Sequence, residues 1–165
     1  PIYHVGPMLT NLSRIEQAEP AIFWDWMSPA VCRLIKLADD ERLAVVRHYG
    51  TTEVPIESYF HEAHGVAGES LEAIFPAMSA KLGGPLAPSV FDHRFITEDV
   101  PYGLVFFWSL GSAAGIDMPV SKSLISLASS VWNDDFVESG RTVERLGIAH
   151  LSRDELLTLV ERGYE

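Results

Sequence analysis

The chain has 165 residues, 12 basic against 23 acidic side chains and a formal charge of −11 at pH 7. That balance repels phosphate backbones and argues against nucleic acid as a partner, and no uninterrupted apolar run is long enough to span a bilayer. A single cysteine, Cys32, excludes an internal disulfide and a cysteine-based zinc site and points to a reducing cytoplasm.

The first residues, Pro1-Ile2-Tyr3-His4-Val5-Gly6-Pro7, lack the basic region and long apolar segment of a signal peptide. They include no initiator Met and read as a polar loop punctuated by Pro and Gly, so the sequence is expected to be part of a longer protein missing its N-terminal portion. Met8 to Ile15 are predicted to form one or two helical turns, with Met8, Leu12 and Ile15 on one side. Ser28-Pro29 offers a cap followed by proline at the first helical position, predicting a helix to about Tyr49 with Gly50 as its stop. Its apolar residues Val31, Leu34, Ile35, Ala38, Val45 and Val46 recur at threes and fours, as in an amphipathic helix packed on a core.

Short helices are expected at 55–64 and 69–81, separated by the Gly65-Val66-Ala67-Gly68 loop, and Gly83-Gly84-Pro85 and Pro88 punctuate the loop that follows. A helix over roughly 99–114 ends at Gly115, with Gly103 and Gly111 inside it suggesting close packing or approach to a ligand. Pro119 starts another helix, broken by Asn133-Asp134-Asp135. Arg141 to Gly147 reads as a short helix closed by glycine, and Ser152-Arg153-Asp154-Glu155 is a capping box opening a helix that ends at Gly163. No alternating pattern longer than a few residues appears. The pattern is all-α, a single domain without internal repeats.

The densest polar chemistry lies in Arg94-Phe95-Ile96-Thr97-Glu98-Asp99-Val100-Pro101-Tyr102-Gly103, which runs into the apolar Leu104 to Trp108. Two readings compete. In one this is a helix entrance, with Thr97 or Asp99 capping free N–H groups and Pro101 in the first turn. In the other, Arg94 and Asp99 face a pocket completed by a partner from elsewhere in the chain.

Histidine is the side chain best suited to proton transfer near neutral pH, and the chain has six. His61 and His64, three apart, could ligate a metal only with Asp92 or His93; this is not the zinc-protease spacing, and a solvated helix end is preferred. His48 and His150 are read as C-terminal caps. His4, between Tyr3 and the Gly6-Pro7 turn, falls on an ordered loop, where sites are commonly built, and taken alone it is read equally as a site residue or a structural one. Arg94 either pairs at the surface with Asp92 or Glu98 or, turned inward, offers its planar fork to a substrate carboxylate. The Gly65-Val66-Ala67-Gly68 loop neither follows a strand nor has the spacing of a dinucleotide-binding loop.

Tyr3-His4-Val5-Gly6-Pro7-Met8-Leu9-Thr10-Asn11 together with Arg94-Phe95-Ile96-Thr97-Glu98-Asp99-Val100-Pro101-Tyr102-Gly103-Leu104-Val105 resembles the C-terminal domain of the octopine/nopaline (opine) dehydrogenase family. Gly140-Arg141-Thr142-Val143-Glu144-Arg145-Leu146-Gly147 resembles a late segment of the same family, so the likeness runs from the first residue to about Gly163. It implies an all-α, helical substrate-binding domain of the opine dehydrogenase / 6-phosphogluconate dehydrogenase C-terminal-like type over 1–165. In this family an N-terminal Rossmann domain binds NAD or NADP, and the helical domain binds an amino acid and a 2-oxo acid.

The resemblance assigns His4 as the catalytic histidine, Asp99 as its aspartate partner, Arg94 as the holder of a substrate carboxylate and Met8 as a residue lining the substrate pocket. The residues themselves argue against a metal site and a membrane span and for a cytoplasmic setting, and the resemblance implies apolar surface toward the Rossmann partner, with self-association of an isolated copy as a homo-oligomer expected from it. Phe106-Phe107-Trp108 is bulkier than the motif leads one to expect. Chemically, a carbinolamine must lose water to an imine, which needs a histidine to move protons and an aspartate to fix its tautomer and favour its cationic form. Asp99, near a helix N-terminus, suits that role. The alternative is a non-catalytic helical interaction or dimerisation domain in which the Arg94 stretch is only a cap.

Overall fold

The computed structural model describes residues 2–163, and it is all-helical: its only extended pairing is a single antiparallel bridge between Ile22 and Leu86. The longest element is α3 (Pro29–His48), opened by the Ser28 side chain, which accepts the Val31 N–H, and by Pro29 at the first position. Gly50 follows at φ 71°, as a helix stop requires. Around α3 pack α1 (Ile2–Thr10), α7 (Val105–Ala113) and α8 (Pro119–Trp132), and α4 (Ile56–His64) and α5 (Leu71–Leu82) close the other flank. A core running from Ile2 through Phe23, Ile35, Phe60, Phe75 and Leu104 to Phe136 ties these elements together. No helix among the described residues is long and apolar enough to cross a membrane.

The N-terminal segment corrects the expectation of a loop. Residues 2–10 form α1, with Pro7 inside it, and α2 (Leu12–Glu16) follows. Helix wins because Ile2, Val5 and Leu9 bury one stripe at a spacing of three and four. Gly6 lets α1 approach α3 closely, since a Cβ there would lie 3.3 Å from Leu34 Cδ2. His4 therefore stands on a rigid helix.

The single helix expected over 99–114 is two pieces, a π-helical turn over Asp99–Leu104 and α7, and a separate short helix, α6 (Arg94–Thr97), precedes them. Pro101 has no N–H to give to an α-helical ladder, and the wider turn absorbs the defect. The Arg141 to Gly147 segment is also not a helix but a run of turns, tied to neighbouring elements by its first N–H groups. Arg141 N–H donates to Pro101 O at 2.8 Å, and Val143 N–H donates to the buried Ser109 Oγ at 2.9 Å. Gly140 is indispensable to this clasp: a Cβ would collide with Phe136 O and come within 2.8 Å of Pro101 O and 2.9 Å of Val105 Cγ1. The late segment thus braces the π turn from behind.

The remaining elements are a 3₁₀ turn at Phe23–Trp26, α9 (Phe136–Ser139), which the sequence pattern did not indicate, and α10 (Arg153–Arg162). The Ser152/Glu155 capping box opens α10 as expected. His48 is the last residue of α3, whereas His150 lies in a turn ahead of α10 and caps no C-terminus.

Candidate functional site

Two elements far apart in sequence meet at the site. On α1, His4 is anchored by the buried stripe beneath it; on the π turn, Asp99 is presented toward α1. His4 Nδ1 donates to Asp99 Oδ2 at 2.5 Å, with the two side chains only 17% and 16% exposed. Because a carboxylate only accepts, this bond places the ring proton on Nδ1 and leaves Nε2 as the atom with a free lone pair.

The imidazole is also fixed by rings. Phe95 stacks on it at 3.7 Å and 9°, and Tyr3 lies 4.1 Å away at 59°. Burial pulls the His4 pKa below the ordinary histidine value; the Asp99 bond and charge oppose this, and Arg94 adds to the lowering. Asp99 does favour the cationic ring, as the sequence leads one to expect, but desolvation outweighs it. Burial and the neighbouring Tyr59 push the Tyr3 hydroxyl up to about 12, so it serves as a hydrogen-bonding group rather than an acid.

Arg94 opens α6 on the same side of the molecule, but its guanidinium is 68% exposed and pairs with Glu98 Oε2 at 3.1 Å. It acts on His4 through its field, not by contact. Met8, one turn beyond His4, is wholly buried in the core. Thr97 is not a cap: its hydroxyl donates back to His93 O at 3.4 Å, and it is His93 that caps α6 by accepting the Phe95 N–H.

His61 is exposed on α4, while His64 packs against the Tyr59 and Phe60 rings. Among the described residues no group of three potential metal ligands comes together. Phe106 and Phe107 face away from His4 into an apolar groove of about 450 Å³ shared with Tyr49, Leu146 and Val160.

Sequence reasoning missed Phe95, Tyr3, Tyr59 and His93 as neighbours of the pair. The first two flank His4 or Arg94 in the chain and were readable as adjacent positions. Tyr59 lies on α4 just before the His61/His64 pair, and nothing in its spacing links it to His4.

The arrangement is a helical domain that carries a half-buried histidine–aspartate pair chemically able to move a proton, with the exposed Arg94–Glu98 ion pair nearby. The alpha-helical domain of the NAD/NADP octopine/nopaline dehydrogenase family matches residues 1–132, and the chain belongs to that family. An opine dehydrogenase of Arthrobacter sp. (strain 1C) is 28% identical over 163 residues, covering 97% of this chain and 45% of that protein. A vitopine synthase of Allorhizobium ampelinum is 25% identical over 152 residues, covering 90% of this chain and 41% of that protein. A solved structure of octopine dehydrogenase, described with NADH and L-arginine, superimposes with a TM-score of 0.71 at 20% identity over 95% of this chain and 47% of that one. The fold is therefore that of the helical half of these proteins, and the chain spans less than half the length of each.

Proposed function

We propose that residues 1–165 are the substrate-binding and catalytic domain of an opine-dehydrogenase-like oxidoreductase that reductively condenses an amino acid with a 2-oxo acid. NADH or NADPH supplies the hydride and is held mainly by a Rossmann domain N-terminal to this chain. That reading is supported by the Gly65 to Gly68 loop, which joins two helices and whose Gly68 is closed off by Ala73 and Ile74. What this chain contributes is proton transfer and the grip on substrate.

The observation that carries the proposal is the bond between His4 Nδ1 and Asp99 Oδ2 across 95 residues. Asp99 fixes the tautomer, so His4 Nε2 is the atom that gives a proton to the departing hydroxyl in the condensing direction and takes one from the attacking water in reverse. The lowered His4 pKa keeps Nε2 unprotonated near neutral pH, which suits the base role. Arg94 exchanges Glu98 for a substrate carboxylate. An exposed ion pair of this kind is worth only about 0.5 kcal/mol, so the exchange costs little.

In the full-length protein His4→Ala should lower turnover by about 10²- to 10⁴-fold and leave dinucleotide affinity nearly intact. Unchanged turnover would overturn the assignment and favour the interaction-domain alternative.

A further inference from the structure

We infer that His93 is a positioning residue of the His4 site, whose neutral ring holds Phe95 and Arg94 in place and whose protonation unseats them. The inference rests on the proposed catalytic role of His4. His93 has an extended backbone and caps α6: its Nδ1 accepts the Phe95 N–H at 3.3 Å, and its carbonyl accepts the N–H groups of Ile96 at 2.9 Å and Thr97 at 3.1 Å. The orientation of this four-residue helix, and with it of Arg94 and Phe95, depends on His93.

Its ring meets Phe95 edge-on at 4.4 Å and 75°, while the same Phe95 stacks on His4 at 3.7 Å. Phe95 is thus held between the two imidazoles' contacts and links them mechanically. An accepting Nδ1 carries no hydrogen, so the His93 proton sits on Nε2, the opposite tautomer to His4. Once protonated, both His93 nitrogens are donors, and Nδ1–H opposes the Phe95 N–H it had accepted. The cap is then lost, and a new positive charge stands near His4 and Arg94.

The charged and titratable groups that act on His93 are His4 from α1 and Arg94, Glu98 and Asp99 from its own side. Burial, His4 and Arg94 hold it neutral, against the opposite pull of Asp99 and Glu98. Its neutral, capping form therefore prevails above the ordinary histidine pKa and is lost as the pH falls through the lowered value.

The test compares His93→Asn, which keeps a capping side chain but cannot titrate, with His93→Ala, in the full-length protein. In the opine-oxidising direction log kcat/KM of the parent should fall on the acid side with a slope of about two, and that of His93→Asn with a slope of about one at near-parent activity around pH 8. His93→Ala should lose activity at every pH, with a rise in KM through Arg94. An acid limb unchanged in His93→Asn overturns the inference. Ring nitrogen NMR of the full-length protein separates this from failure of the catalytic reading, because it needs no turnover. An Nε2–H tautomer for His93, with a His4 titration that moves in His93→Asn, supports the inference; an Nδ1–H tautomer overturns it.

Discussion

Asp99 and Glu41 are both carboxylates that join helices distant in sequence, and they do so with different kinds of donor. Glu41 on α3 accepts the N–H groups of Val120 and Ser121 at 2.7 and 2.8 Å and the Ser121 hydroxyl at 2.6 Å, fastening the first turn of α8. Asp39 does the same on the other side, accepting the Ile56 N–H at 2.9 Å and Arg42 Nε at 2.8 Å. These donors keep their protons at any ordinary pH, so the junctions are permanent. Asp99 instead receives its bond from an imidazole, whose proton content changes near neutrality. The same acid chemistry builds a rivet in one place and, in the proposed function, orients a titratable ring in the other.

The contrast is broken most directly by neutralising each carboxylate in turn. Asp99→Asn in the full-length protein should cut turnover by about 10²- to 10⁴-fold while leaving unfolding stability within about 1 kcal/mol of the parent. Glu41→Gln should do the reverse, costing about 1–3 kcal/mol in denaturant unfolding through poorly satisfied N–H groups, with turnover per folded molecule unchanged. If Asp99→Asn proves mainly destabilising, Asp99 is another rivet.

A smaller effect sharpens the comparison from the cationic side. Arg42 and Arg94 both pair with carboxylates three or four residues away, yet Arg42 also donates to Val54 O, at 2.6 Å, whereas Arg94 faces water beside Glu98. Arg94→Ala should therefore raise KM for the carboxylate substrate about 10- to 100-fold, the loss of one charge-assisted pair, with stability changed by less than about 0.5 kcal/mol. A variant with unaltered KM would return Arg94 to the surface role its Glu98 partner suggests.

The regular helices were legible because their ends carry local chemistry: Ser28-Pro29, Gly50, Gly65, Pro119 and the Ser152 capping box all act where their residue types demand. Misreading arose where tertiary contacts overrule local preference. Gly6 and Pro7 suggest a loop, yet burial against Leu34 and the core makes residues 2–10 a helix. Pro101 and Gly103 mark a disturbance in the next helix without revealing that it takes the form of a π turn, and the residues that brace that turn, Gly140 and Arg141, lie nearly forty positions on. His4 and Asp99 each stood out as polar candidates, but their pairing was legible through family resemblance alone. Spacing contains no rule that pairs residues 95 positions apart, and Phe95, which stacks on His4, looked like an ordinary apolar residue in a polar run.

The smallest expected effect concerns stability against pH and follows from the sign of the His4 shift. Burial lowers its pKa in the folded state, so the native protein binds this proton less readily than the unfolded chain does. The neutral ring's contribution is complete above the ordinary histidine pKa of about 6.5 and is lost as the pH falls through the lowered folded value. His4→Gln removes that dependence. The difference in melting temperature between the parent and His4→Gln, measured on the full-length protein from about pH 8 down to pH 5, should move by at most a few degrees, in the variant's favour at the acid end. A His4→Gln difference that shifts toward the parent on acidification would mean that the folded state favours the imidazolium, and that Asp99, not burial, sets the proton affinity of the pair.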